Sequence, residues 1–285
     1  MFPSSRRIEQ ATIAMLGAMA LASGAVLFVV TAFVVRGAWP AASQIGLWRF
    51  LSDGDWHPVE GMFGLAPMLA GSLASSIGAL LIAVPVGIAI ALACHFQASE
   101  RMALHYRRLL GVYGGIPSVV YGYWGLTSLV PLVAESHPPG ASLFVSSLVL
   151  ALMIMPTVAL TSRAALARVP RTHILGGHAL GLSRDTVALR IALRGARAGV
   201  LSGIVLALAR ALGETMAVLM VSGNIVQVPQ SVFDPIRTLA ANIALEMAYA
   251  MGNHRAALYT SGVVLIVIVC GLMLVAEYLT RDSHG

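Results

Sequence analysis

Residues 199–222 read GVLSGIVLALARALGETMAVLMVS, an apolar run long enough to cross a membrane that is interrupted by Arg210 and Glu214. In a continuous helix, at about 1.5 Å of rise per residue, Arg210 lies about 17 Å from either end and therefore close to the bilayer midplane. An arginine at that depth costs at least about 2.5–3.5 kcal/mol. Glu214, one turn further on, offsets part of the cost as an i,i+4 partner. The remaining cost suggests that Arg210 binds an anion that crosses the membrane. The alternative is that Arg210 and Glu214 form a structural salt bridge between helices.

The composition is that of an integral membrane protein. Of 285 residues, 58% are hydrophobic and only 11% are charged, whereas soluble domains average about 25% charged residues. The 18 basic residues are all arginines. Because a Walker A loop needs a lysine on the nucleotide phosphates, the chain cannot form a standard P-loop ATPase. Any ATP-driven work must come from a partner.

Six apolar stretches of about 20 residues or more predict an all-α membrane protein with six transmembrane helices. They are residues 11–35, 67–94, 109–133, 141–161, 198–223 and 256–279.

The arginines predict the orientation. With the first terminus in the cytoplasm, the cytoplasmic segments hold thirteen of them, at positions 6, 7, 101, 107, 108, 163, 168, 171, 184, 190, 194, 197 and 281. The outer side holds four, at positions 36, 49, 237 and 255. This asymmetry follows the positive-inside rule, so both termini are predicted to be cytoplasmic, and the net charge of +6 is a topology signal and not a sign of nucleic-acid binding.

The chain then divides into three parts. Residues 1–35 form the N-terminal tail and first helix, 36–66 a periplasmic loop, and 67–280 a five-helix core. The core includes a cytoplasmic loop, 162–197, and a periplasmic loop, 224–255.

The cytoplasmic loop is predicted to hold two short helices. Pro170 marks a helix start, Gly181 a stop, and Ser183 a new N-cap, which gives helices over 172–180 and 184–197. With seven arginines the loop is either an anchor to lipid headgroups or a docking surface for a cytoplasmic motor.

Small residues crowd the third span, at Gly111, Gly114, Gly115, Gly122 and Gly125. Such residues let helices approach closely, so tight packing is one interpretation. The other is that this span lines a path through the membrane, with Ser118 and Tyr121 as its polar side chains.

Patterns typical of enzymes and metal sites are missing from the sequence. The eight histidines show no HExxH spacing, and there is no GxSxG nucleophile elbow. We therefore expect no catalytic residues, no metal and no cofactor.

The motif around Arg210 resembles a known family. Residues 209–218, ARALGETMAV, followed by Gly223 and Asn224, resemble the fifth-span signature of PstC-type permeases of bacterial phosphate ABC transporters. The segment from Gly115 to Gly125 and the outer-loop residues are similar to the same family. Those outer-loop residues are Trp56, Pro58, Gly61, Phe63, Gly64, Pro67, 231–235 and 238–242. The resemblance covers about residues 55–280.

This resemblance implies a type I ABC importer permease of the MetI-like fold in the bacterial inner membrane. It implies that Arg210, Glu214 and Thr215 lie in the path of inorganic phosphate. It also implies three kinds of partner: a second, PstA-type permease, two cytoplasmic PstB-type ATPases and a periplasmic PstS-type phosphate-binding protein.

One motif departs from the family. The glutamate that these permeases place in the cytoplasmic loop to contact the ATPase is replaced here by Leu175-Gly176-Gly177, while the glycine at Gly181 is kept. The same helix is expected to couple to the ATPase with a different electrostatic contact, to which Arg171 and Arg184 are candidates. Weakened coupling is the alternative.

Other functions stay open at this point. The substrate could be another oxyanion, such as sulfate or molybdate. A proton-coupled secondary carrier would use Arg210 and Glu214 as a relay, although the large cytoplasmic loop and the lack of an internal repeat argue against it. A non-transporting assembly or sensory subunit is the third possibility.

Overall fold

The computed structural model describes residues 3–281, and its side chains from 9 to 278 except those of 44, 45, 47 and 100. The described chain is almost entirely helical. Its α-helices are α1 Pro3–Ile45, α2 Leu47–Ser52, α3 Ala66–Leu92, α4 Glu100–Gly115, α5 Ser118–Trp124, α6 Val130–Ala134, α7 Leu143–Ala167, α8 Arg171–Ala179, α9 Arg184–Thr186, α10 Leu193–Gly195, α11 Arg197–Leu212, α12 Met216–Val221, α13 Leu239–Glu246 and α14 Gly252–Arg281. Wider π-helical turns occupy Ala93–Gln97, Gly125–Leu129 and Val187–Ala192.

A small antiparallel hairpin lies between α2 and α3. Strands β1 (Trp56–His57) and β2 (Met62–Phe63) pair with Trp56 opposite Phe63, and the short 3-10 helix Pro58–Glu60 connects them. Gly61 closes the connection at φ 76°, a left-handed conformation that glycine adopts without steric cost.

Four of the predicted spans are continuous helices. Within the described residues, four helices are long and apolar enough to cross a membrane: Glu9–Ser43, Ala66–Gln97, Leu143–Ala167 and Gly252–Tyr278. They cover the first, second, fourth and sixth predicted spans.

The other two predicted spans are not continuous helices. The third is broken where Arg101–Gly115 meets Ser118–Ala134 at 86°, because Pro117 has no amide hydrogen to continue the helix. The fifth, 198–223, ends at Leu212 and restarts at Met216, and before it Arg184–Gly195 meets Arg197–Leu212 at 72°. The described chain is therefore a helical membrane protein with four candidate membrane spans, or up to six if each bent pair counts as one.

The centre of the fold is the pairing of α3 with α7, to which α11 and α12 add. Ala79 and Ala83 pack against Leu150, Ile154 and Val158, all of them almost fully buried. Since lipid offers no hydrophobic driving force between helices, close van der Waals contact between small residues is what holds such a pair together.

Helix α1 lies at the edge of the fold and packs on α14. The rings of Phe33 and Tyr259 meet edge to face, with 5.8 Å between their centroids. A β-carbon on Gly37 would come within 2.6 Å of the Tyr259 ring, so glycine is required for this approach. Leu27 and Phe28 on α1 are exposed, as expected of side chains that face lipid.

Candidate anion-translocation site

The Arg210 motif lies at a break between two helices. Helix α11 ends at Leu212, and Glu214 Oε1 accepts a hydrogen bond of 3.2 Å from the amide of Ala217 at the start of α12. Thr215 Oγ1 donates to the carbonyl of Gly213. The carboxylate therefore caps α12, where a negative charge favours the exposed amides of the first turn.

The predicted i,i+4 pairing of Arg210 with Glu214 is wrong. The break after Leu212 removes the helical geometry that such a pair requires, and Glu214 turns to the backbone of α12. Among the described side chains, no carboxylate lies within ion-pair distance of the Arg210 guanidinium, which is exposed. Arg210 therefore carries its charge at the end of α11 without a counter-ion among the side chains that the structure describes.

Tyr121 packs against α12, in one buried cluster with Ala217 and Val221. It is buried on α5, and its hydroxyl donates a 2.9 Å hydrogen bond to the carbonyl of Tyr113 on α4, which bridges the break at Pro117. Ser118, half-buried, begins α5. The structure thus places the break in the third span beside the break in the fifth.

Glycines hold these two broken segments together. A β-carbon on Gly122 would lie 2.8 Å from the Cα of Ala217, and one on Gly125 would lie 2.9 Å from Val221 Cγ1. By contrast, a β-carbon on Gly111 would meet nothing within 4 Å. Close packing, one of the two interpretations of the glycine-rich span, accounts for Gly122 and Gly125, while a path-lining role for Ser118 and Tyr121 stays a prediction.

The loop predicted to dock a motor has the predicted helices. Helix α8 follows Pro170 and ends before Gly181, whose φ is 76°. Ser183 Oγ then accepts from the Thr186 amide at 3.3 Å, as expected of an N-cap. The second predicted helix, 184–197, is interrupted by the π-helical turn between α9 and α10.

Helix α8 is mostly exposed, and among its residues only Gly177 is buried. Gly177 is buried against Val187 and Ile191, whereas Gly176 is open and Leu175 is 65% exposed. Arg171 and Arg184 are also exposed. A cavity of about 550 Å³ lies where α8 meets the ends of α3 and α7, and it is lined by His95, Phe96, Leu166, Ala167, Val169, Arg171, Ile174 and Leu175.

A second polar cluster, centred on Glu246, was missed from the sequence. Glu246 Oε1 accepts from Arg237 Nη1 at 2.7 Å, and Oε2 accepts from Trp56 Nε1 at 2.9 Å and lies 2.8 Å from His254 Nε2. Glu246 is 7% exposed. A buried carboxylate is stable only with charged or hydrogen-bonding partners. The single glutamate in the apolar run 239–250 could therefore have indicated such a cluster from the sequence.

Tyr249 lies beside this cluster, with its ring centroid 6.0 Å from that of His254. Partial burial and the nearby Glu246 carboxylate raise the pKa of the exposed Tyr249 phenol above its ordinary value, and Arg237 acts in the opposite direction. The rings of Trp56 and Phe63 pack edge to face at 5.7 Å, which closes the cluster on the hairpin side.

Comparison with known proteins agrees with this architecture. Residues 83–282 match the family described as binding-protein-dependent transport system inner membrane component. The phosphate transport system permease protein PstC of Pasteurella multocida is 34% identical over 267 residues, with 86% of this chain and 83% of the relative covered. The probable ABC transporter permease protein YqgH of Bacillus subtilis is 34% identical over 254 residues, with 87% and 80% covered.

Solved structures show the same fold. A bacterial ABC transporter involved in import of the acidic polysaccharide alginate superposes with a TM-score of 0.65 at 15% identity, covering 97% of this chain and 99% of that one. The inward-facing MetNI methionine ABC transporter gives 0.58 at 18% identity, covering 84% and 98%. The expected ABC importer permease fold is thereby confirmed, and the chain belongs to the family of binding-protein-dependent transport system inner membrane components, among its PstC-type permeases.

Proposed function

We propose that this chain is the permease subunit of an ATP-driven importer of inorganic phosphate and forms the translocation path by alternating access. The observation that carries the proposal is Arg210, an exposed guanidinium at a helix break whose neighbouring carboxylate is engaged in capping α12. The name of the Pasteurella multocida relative supports phosphate as the substrate.

The chemistry of Arg210 suits this passenger. A guanidinium offers a planar set of donors that matches two oxygens of a phosphate, and its charge is permanent. With Glu214 turned to Ala217, the anion takes the place of the missing counter-ion. Thr215, Ser118 and Tyr121 complete the proposed path, and the Tyr121 hydroxyl is held by its hydrogen bond to the Tyr113 carbonyl.

We assign the energy source to other subunits. The absence of lysine rules out a standard Walker A loop, so two PstB-type ATPases would bind the cytoplasmic loop 162–197. The contact surface consists of the exposed residues Arg171, Leu175, Gly176 and Arg184. Beneath it, Gly177 lets α8 pack closely and Gly181 forms the turn after α8. Because this surface is rich in arginine, we expect the ATPase to contact it with acidic side chains.

The remaining assembly follows the family. A PstA-type permease pairs with this chain, and a PstS-type protein delivers phosphate to the periplasmic loops 36–66 and 224–255. Both termini lie in the cytoplasm, and the complex resides in the bacterial inner membrane.

The test is phosphate uptake into proteoliposomes that contain the whole complex. Arg210→Gln is expected to abolish ATP-dependent uptake while the complex still assembles. Arg107→Gln, which removes an exposed arginine of α4 outside the loops assigned to partners, is expected to transport normally. Failed assembly of the Arg210 variant would support a structural role instead, as a salt bridge to the partner permease. Uptake that needs no ATPase but collapses with the proton gradient would overturn the proposal. Competition by sulfate or molybdate would mean that the substrate is another oxyanion and not phosphate.

A further inference from the structure

We infer that the ion pair of Glu246 and Arg237 is a positioning element for transport, because it sets the place of the short helix α12 and with it the Glu214–Thr215 turn. This inference rests on the proposed role of the Arg210 motif in the path. The argument follows a continuous series of hydrogen bonds from the Glu246 cluster to that motif.

Glu246 joins three distant segments at one carboxylate. Trp56 comes from the hairpin, Arg237 from the loop before α13, and His254 from the first turn of α14. With three donors at 2.7–2.9 Å and almost no exposure, the carboxylate has few alternative positions. Bonds of this kind between charged groups are short and strong, and burial weakens their screening by water.

Arg237 passes this constraint to the chain that follows α12. Its Nη1 donates to Glu246 and, at 3.1 Å, to Asn242 Oδ1, while its Nε donates at 2.9 Å to the carbonyl of Asn224. The guanidinium is held on three sides and is only 19% exposed. Arg237 is therefore a rigid link and not a free surface charge.

Asn224 in turn closes the C-terminal end of α12. Its Nδ2 donates at 2.8 Å to the carbonyl of Leu219, and its Oδ1 accepts from Ser222 Oγ at 3.1 Å. Asn224 has φ 55°, which a residue with a β-carbon adopts only where its surroundings favour it.

Helix α12 has six residues, too few to be stable by its own backbone bonds. Its place is therefore set by its two ends and by its packing against α5 and α7. The Glu214 carboxylate holds one end and Asn224 the other. A shift of Arg237 moves the Asn224 end, and a helix this short transmits that shift to Glu214 and Thr215.

The experiment reads the position of Thr215 directly. The complex carries Thr215→Cys with Cys94 and Cys270 replaced by serine, and the rate of thiol labelling by a maleimide is measured without phosphate. We expect Glu246→Gln to change this rate at least about fivefold and to lower the maximal uptake rate at least about tenfold, a barrier change of about 1.4 kcal/mol. The matched control Glu135→Gln, an exposed glutamate directly after α6 and outside the loops assigned to partners, is expected to change neither.

A double variant separates positioning from the cost of an unpaired buried charge. Arg237→Gln with Glu246→Gln removes both charges, so it relieves the buried charge but weakens the link to Asn224. We expect its labelling and uptake to stay altered. Recovery of both to the parent values, or unchanged labelling in Glu246→Gln, would overturn the inference. Labelling of Thr215→Cys needs no substrate, so it tests positioning separately from the identity of the anion. If Glu246→Gln alters the labelling rate but the complex transports a different anion, the positioning inference stands and only the phosphate assignment fails.

Discussion

Gly122 on α5 lies so close to Ala217 on α12 that a β-carbon at Gly122 would be 2.8 Å from the Ala217 Cα. Real β-carbons do not approach backbone so closely, so α5 and α12 can come this near at Ala217 only because residue 122 is glycine. Ala217 is also the residue whose amide is capped by Glu214. The contact therefore ties the third span to the Arg210 motif.

Gly122→Ala is expected to push α12 away from α5, at a cost of about 1–3 kcal/mol for overpacking, and to reduce phosphate uptake sharply. Uptake and thermal unfolding of the purified complex measure the two effects. Gly111→Ala is the control, because a β-carbon there meets nothing within 4 Å, and we expect it to be neutral or slightly stabilising. Equal behaviour of the two variants would contradict the proposed contact.

Two substitutions at Glu214 separate its capping role from its charge. Glu214→Gln keeps an oxygen that can accept from the Ala217 amide, whereas Glu214→Ala removes the cap at a cost of about 0.5–2 kcal/mol. Hydrogen exchange of the α12 amides should rise only in the alanine variant. Uptake should fall in both, because the negative charge belongs to the proposed path. Normal uptake by Glu214→Gln would mean that the carboxylate serves α12 alone.

Adjacent glycines on α8 provide a matched pair for the cytoplasmic loop. A β-carbon on Gly177 would lie 2.5 Å from Ile191 Cδ1 and 3.0 Å from Val187 Cγ2, and one on Gly176 would meet nothing within 4 Å. Gly177→Val should therefore loosen α8 by about 1–3 kcal/mol and raise its hydrogen exchange in the complex without ATPase. Gly176→Val should not, and the reverse order would show that α8 packs by a different face.

Trp56→Phe tests the cluster around Glu246. The substitution removes the indole donor to Glu246 Oε2 but keeps an aromatic ring against Phe63 and His254. A hydrogen bond to a charged group contributes about 1.5–3 kcal/mol, so the melting temperature of the complex should fall. Trp48, which is 81% exposed, gives the control Trp48→Phe, and we expect no shift. A fall of equal size in both variants would argue against a specific bond.

Local features of the sequence were sufficient to predict much of the fold. Hydropathy located the four continuous spans, because it is a property of each segment taken alone. Helix α8 was also predictable, since Pro170, Gly181 and Ser183 act through their own backbone and near neighbours. The family motif also identified Arg210 as a candidate.

The sequence by itself determined that this is an all-α membrane protein and that Arg210 is its unusual residue, because apolar length and a charge within it are readable along the chain. The tertiary structure decided that residues 213–215 break the fifth span and that Glu214 caps α12 instead of pairing with Arg210. Hydropathy does not detect such a break, since apolar residues continue on both sides of it. The structure also decided the Glu246 cluster, because its donors Trp56 and Arg237 meet the carboxylate only after helices far apart in sequence have packed.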